Sequence, residues 1–259
     1  MKTTTKSLRR KKGGEKISMI TAYDALFARL ADEAGADIIL VGDSLGNVYL
    51  GFDSTVPVTL DMMRHHVAAV ARATADAMIL ADLPFALAHR SLDPLLDDCA
   101  SLLRAGAHAV KIEGGAKIAG KIAALCDAGI AVMGHIGLEP QQYLKLGGYR
   151  KFGKTPQERD AIIGDALALE RAGAFALLLE MCDADAAKAV SESVKIPVIG
   201  IGSGPDCDGQ VLVFSDALGL TENPPPFAKK FANLRADVLR AYETFFSEIK
   251  SGTFPEREK

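Results

Sequence analysis

Four stretches of this chain repeat one local pattern, and that repetition limits the available folds more than any other feature. The segments are DEAGADIILVGD (32–43), LRAGAHAVKIEG (103–114), CDAGIAVMGH (126–135) and ERAGAFALLLEM (170–181). In each, a helix-like stretch ends at a glycine, four to six apolar residues follow, and the run stops at a polar residue. Gly35, Gly106, Gly129 and Gly173 suit the left-handed residue that closes a helix. The apolar runs are rich in Ile, Val and Leu and do not alternate, which is the pattern of a parallel strand buried on both faces.

The stretches between the runs read as helices, for example Ala25–Ala34, Leu60–Ala73, Pro94–Ala105 and Gln157–Ala172. Further strands fit the spacing at Ile17–Thr21, Ala77–Ala81, Lys195–Gly200 and, more weakly, Gln210–Phe214. About eight βα units result, the number and length of a (β/α)8 TIM barrel. The expectation is a single α/β domain over residues 1–259; a doubly wound open sheet is the competing architecture. With 49% hydrophobic residues, the chain has enough apolar material for such a core.

Three regions fall outside the rhythm. Residues 1–16 form a basic N-terminal arm without the apolar segment of a secretory signal. Residues 137–156 are long, glycine-rich and basic, and follow a strand end, so they read as an active-site loop. After Asn223-Pro-Pro-Pro226, a C-terminal helix is expected over 227–250. Its apolar stripe (Phe227, Phe231, Leu234, Val238, Tyr242, Phe245, Ile249) is expected to pack on the barrel or on a neighbouring subunit.

Several function classes are excluded. Thirty Lys and Arg against 33 Asp and Glu leave a net charge of −3, which gives no reason to expect nucleic acid. No apolar run approaches the roughly 18 residues that span a bilayer. Cys99, Cys126, Cys182 and Cys207 are scattered without a CxxC pair, so the chain reads as a cytoplasmic protein with no disulfide framework.

Barrel enzymes carry their chemistry where strands end. The residues that follow the apolar runs are Asp43 and Ser44, Asp82, Lys111 and Glu113, His135, and Glu180. Any one acid at such a junction also reads as a helix N-cap. Lys111 also reads as a snorkelling rim residue, and His135 as a satisfied core histidine. Four carboxylates at one mouth would repel unless a cation offset them. Asp43, Asp82 and Glu113 are hard oxygen donors with no Cys/His set beside them, which favours Mg2+ over zinc. On the residues alone, this predicts a Mg2+-assisted enolisation or aldol-type reaction of a 2-oxo acid. Gly200-Ile-Gly202-Ser-Gly204 reads either as an anion-binding turn or as a plain tight turn.

The motifs ITAYD (20–24), LVGDSLG (40–46), DSTVPVTLDMM (53–63), ADLPF (81–85), VKIEGG (110–115), GHIGLEPQ (134–141), LGGY (146–149), IPVIGIGSG (196–204) and DGQVLVFSDALGL (208–220) closely resemble the ketopantoate hydroxymethyltransferase family. The match runs in register from about residue 3 to about residue 253. Residues Arg150–Thr155 follow the family's basic loop only loosely, and Thr74–Asp76 replace a more glycine-containing helix exit. The resemblance implies Mg2+ ligands at Asp43, Asp82 and Glu113. It implies 2-oxo acid contacts at Asp43, Ser44, Asp82 and Lys111, a proton acceptor at Glu180, and a supporting role for His135. It further implies hydroxymethyl transfer from 5,10-methylenetetrahydrofolate to 3-methyl-2-oxobutanoate, giving 2-dehydropantoate for pantothenate and coenzyme A synthesis, in a homodecamer. Two rivals remain. One is a Mg2+-dependent lyase of the phosphoenolpyruvate/isocitrate lyase-like barrels, which the lack of a cysteine between Cys126 and Cys182 disfavours; the other is a non-catalytic barrel.

Overall fold

Eight parallel strands close into a barrel in the computed structural model, which describes residues 2–256. They are β1 (Ile17–Thr21), β2 (Ile38–Val41), β3 (Met78–Asp82), β4 (Ala109–Glu113), β5 (Val132–Gly137), β6 (Ala176–Glu180), β7 (Val198–Ile201) and β8 (Gly209–Leu212). Sequence order is spatial order, and β8 pairs back onto β1. The helices Ala25–Glu33, Leu60–Ala71, Leu92–Arg104, Ala119–Asp127, Pro156–Arg171 and Ala184–Ser193 form the crossovers. The open-sheet alternative is excluded by closure.

Side chains alternate along a strand, so every second residue points into the barrel. The inner files are Met78–Leu80–Asp82, Ala109–Lys111–Glu113, Met133–His135 and Ala176–Leu178–Glu180; their lower members belong to one buried apolar cluster. Each file is apolar below and ionisable at its C-terminal end. That switch makes the lower barrel a core and the upper barrel a site.

The N-terminal arm is more ordered than its composition predicts. Helix Thr5–Arg10 is opened by a capping box between Thr4 and Ser7. It drives Leu8, 1% exposed, into the barrel's apolar cluster beside Ile17 and Met19. Its basic residues bind the N-terminal ends of strands: Lys11 pairs with Asp37 at 2.7 Å, and Lys12 with Asp208 at 2.8 Å. Arg9 donates to the Ala174 carbonyl.

The described residues fall into two compact units that divide between Leu212 and Val213. The barrel strands all lie in the first. In the second, Phe214 opens a short helix, Phe214–Ala217, instead of ending a strand, because β8 stops at Leu212. The long helix runs Leu234–Ser251, so Phe227 and Phe231 precede it. Val238, Tyr242, Phe245 and Ile249 on its apolar stripe are exposed. No helix among the described residues is long and apolar enough to cross a membrane. All four cysteines are free thiols.

Candidate active site

Strand register brings the ionisable residues together. Asp82 on β3 lies opposite Lys111 on β4, and Glu113 opposite His135 on β5. Because these strands are parallel and in register, both pairs share the inner face. Lys111 Nζ is 2.9 Å from Asp82 Oδ1 and 3.1 Å from His135 Nδ1. His135 Nδ1 stands 3.6 Å from Glu113 Oε1, and its Nε2 stands 3.4 Å from Glu180 Oε2. Asp43, just beyond β2, donates its backbone N–H to Asp82 Oδ2 at 3.0 Å. All six sequence-predicted ionisable residues therefore share one mouth.

Helix capping accounts for none of the four acids: the helix starts use Asp24, Thr59, Thr155 and Asp183 as side-chain caps. Ser44 stands at the N-cap of the short helix Leu45–Val48 without a capping bond. Its Oγ instead shares a 2.7 Å hydrogen bond with the buried Tyr23 hydroxyl. Ser203, in the glycine-rich turn after β7, is also structural. It bonds the Leu179 carbonyl at 2.8 Å and receives the Cys182 N–H at 3.0 Å, tying that turn to the exit of β6.

The electrostatics follow from burial. Asp43, Asp82, Lys111 and Glu113 are all buried. Burial, and then the charge of Asp82, pushes the Asp43 carboxyl up to about 7. Burial, and then Asp43, holds Glu113 well above the carboxylate range. Burial pushes Glu180 up to about 7 against the opposing pull of Lys111. For Lys111, burial opposes the charge, but Asp82, Glu113 and Asp43 together overcome it and raise the ammonium above its ordinary range. Burial and then Lys111 depress His135, so its ring is neutral. With Nδ1 accepting from the Lys111 ammonium, the remaining ring proton sits on Nε2 and faces Glu180.

Sequence reasoning gave no role to Gln141, which the loop places against the acids. Its Nε2 donates to Asp43 Oδ2 at 2.8 Å and to the Leu83 carbonyl at 2.9 Å, while its backbone N–H donates to Glu113 Oε2 at 3.0 Å. The signal available was its place in GHIGLEPQ, one strand end away from His135. The loop is held at both ends beside the candidate base. Leu138 N donates to the Glu180 carbonyl and Phe152 N to the Met181 carbonyl, both at 2.8 Å. Gly137, at φ +91°, starts this excursion; a Cβ there would stand 2.4 Å from the Glu180 carbonyl oxygen. Met181, immediately after Glu180, takes a left-handed conformation at φ 50°, the kind of backbone strain that clusters at functional sites.

The donor set fits a hard divalent cation. Three buried carboxylates face a single buried ammonium, which pairs with Asp82 Oδ1 at 2.9 Å and offsets only one of the three negative charges. Among the described residues, no three Asp, Glu, His or Cys groups are drawn into a closed cage. Lys111 and Gln141 stand among the acids instead.

A closed (β/α)8 barrel with this mouth is an enzyme scaffold, and solved structures share the architecture. A phosphonopyruvate hydrolase crystallised with oxalate and Mg2+ superposes with TM-score 0.64 at 18% identity, covering 100% of this chain and 90% of that one. A 2,3-dimethylmalate lyase of the PEP mutase/isocitrate lyase superfamily gives 0.63 at 18% identity, over 100% and 91%. These likenesses show the fold. Sequence relatives narrow the class to hydroxymethyltransferases. The chain is 51% identical to the 3-methyl-2-oxobutanoate hydroxymethyltransferase of Staphylothermus marinus, covering 99% of this chain and 95% of that protein. It is 53% identical to that of Pyrococcus furiosus, over 98% and 90%. Residues 2–257 match the ketopantoate hydroxymethyltransferase family, and the chain belongs to that family.

Proposed function

We propose that this chain transfers a hydroxymethyl group from 5,10-methylenetetrahydrofolate to 3-methyl-2-oxobutanoate, giving 2-dehydropantoate and tetrahydrofolate with one water consumed. Family membership supports the reaction. The observation that carries it to particular residues is Glu180, a carboxyl pushed up to about 7, facing Lys111 and three buried carboxylates across His135.

Asp43, Asp82 and Glu113 would hold Mg2+, with Asp43 and Asp82 also meeting the 2-oxo acid. Bound there, Mg2+ supplies the Lewis acidity that acidifies the carbon next to the keto group. Lys111 pairs with the substrate's negative charge, and Ser44, fixed by Tyr23, orients it. Glu180 takes the proton from the substrate's α-carbon, and its proton affinity near neutral pH suits that task. Neutral His135 stands between Lys111 and the base, with its Nε2 3.4 Å from Glu180 Oε2. The carbanion so formed attacks the one-carbon unit of the folate. The same reading places the enzyme in the cytoplasm, on the route to pantothenate and coenzyme A, as a homo-oligomer of ten chains.

Glu180→Gln tests it. Solvent exchange of the 2-oxo acid's α-proton should fall by two or more orders of magnitude, the usual contribution of a general base, with cation binding kept. Exchange at the wild-type rate would place the base elsewhere.

A further inference from the structure

The hydrogen bonds around the acids follow a pattern that the reaction does not by itself require. Each of the three candidate ligands has one oxygen pinned by a neutral N–H: Asp43 Oδ2 by Gln141 Nε2, Asp82 Oδ2 by the Asp43 backbone, and Glu113 Oε2 by the Gln141 backbone. Asp82 Oδ1 pairs with the Lys111 ammonium at 2.9 Å. His135 Nδ1 stands 3.6 Å from Glu113 Oε1, outside hydrogen-bond range. Two of the three pins come from one residue, and that residue belongs to the 137–156 loop, 98 positions from Asp43 in the chain.

We infer that Gln141 is a positioning residue for the cation site. It turns Asp43 and Glu113 so that their unpinned oxygens face the cation, and it makes the docked loop a condition of full cation affinity. The inference rests on the Mg2+ reading proposed above and adds a residue and a coupling to it. The chemistry is that of partners outside the coordination sphere, which fix a ligand's orientation and whose loss commonly weakens metal binding about 10- to 100-fold. The amide suits the role. It donates to Asp43 and to the Leu83 carbonyl without adding charge, while the same residue's backbone N–H reaches Glu113, so both acids are oriented and their negative field is left for the cation. Coupling is reciprocal: if the docked loop strengthens cation binding, the cation strengthens loop docking by the same factor.

The test is Mn2+ binding to the full chain, by calorimetry and without substrate, for wild type, Gln141→Ala and Gln142→Ala. Gln142 lies on the same turn but bonds Glu139 rather than the acids. Gln141→Ala should bind Mn2+ about 10- to 100-fold more weakly, with Gln142→Ala near wild type. In parallel, saturating Mn2+ should slow tryptic cleavage after Lys145 in wild type and leave it unchanged in Gln141→Ala. Equal affinity in Gln141→Ala and wild type overturns the positioning role and leaves the cation reading standing. Equal loss in both variants overturns it in favour of general loop damage. A wild-type chain that takes up no Mn2+ overturns the cation reading and this inference with it.

Discussion

Stripping divalent cations from the protein and lowering the pH from 8 to 6 should make it more stable. Asp43 and Glu180 each titrate near 7 in the folded chain, whereas an open chain releases those protons near 4. A folded-state pKa raised in this way gives stability that is complete below the unfolded value and is lost as pH rises through the folded one. Between pH 8 and 6, each such group contributes about 1.4 kcal/mol, or about 2.7 kcal/mol for the two. Glu113, also shifted up, adds in the same direction. His135 acts oppositely: its depressed pKa means that the unfolded ring takes up a proton first, which removes at most about 0.8 kcal/mol at pH 6. The net gain is about 2 kcal/mol. Unfolding 259 residues releases roughly 0.5 kcal/mol per kelvin of entropy. The midpoint of a scanning-calorimetry trace in EDTA should therefore rise by about 4 °C from pH 8 to pH 6, at fixed protein concentration. Saturating Mg2+ should shrink the rise, because a bound cation keeps the carboxylates ionised. A midpoint that falls or stays level in EDTA would refute the account of the mouth as a cluster short of positive charge.

Other perturbations separate the barrel's parts. Leu8→Ala removes a side chain that closes the apolar cluster and should cost about 3–5 kcal/mol in urea unfolding, with kcat unchanged on the remaining folded protein. Gly137→Ala puts a methyl 2.4 Å from the Glu180 carbonyl at a φ that L-residues avoid. It should lower kcat at least 10-fold in a steady-state assay, since a 1 Å misplacement of a catalytic group costs on the order of 100-fold.

Much of this arrangement was legible because it follows from period and register. Once Lys111 and Glu113 are two apart on a strand, they must share a face, and parallel pairing must set Asp82 and His135 beside them. The missing parts depend on chain segments with no period to read. Leu8 is one apolar residue in a basic segment, and only the barrel's open N-terminal end gives it a partner. Gln141 is a neutral amide in a loop, and its value lies in two acids that fold brings from elsewhere. At the other end, Val211-Leu-Val-Phe214 is one uninterrupted apolar run, so composition did not mark where β8 ends and the next helix begins.

The two attachments of the 137–156 loop have a consequence for how this enzyme can vary. Both stand on the strand exit that carries Glu180, one at Leu138 and the other at Phe152. The chain between them leaves and returns to the same place, so a residue such as Leu144, exposed at its crest, can change while the base stays where it is. Selection on whatever the crest touches is thereby uncoupled from selection on proton transfer. Gln141 and Tyr149 mark the boundary: the first bonds the acids, and burial and then the charge of Glu180 raise the phenol of the second.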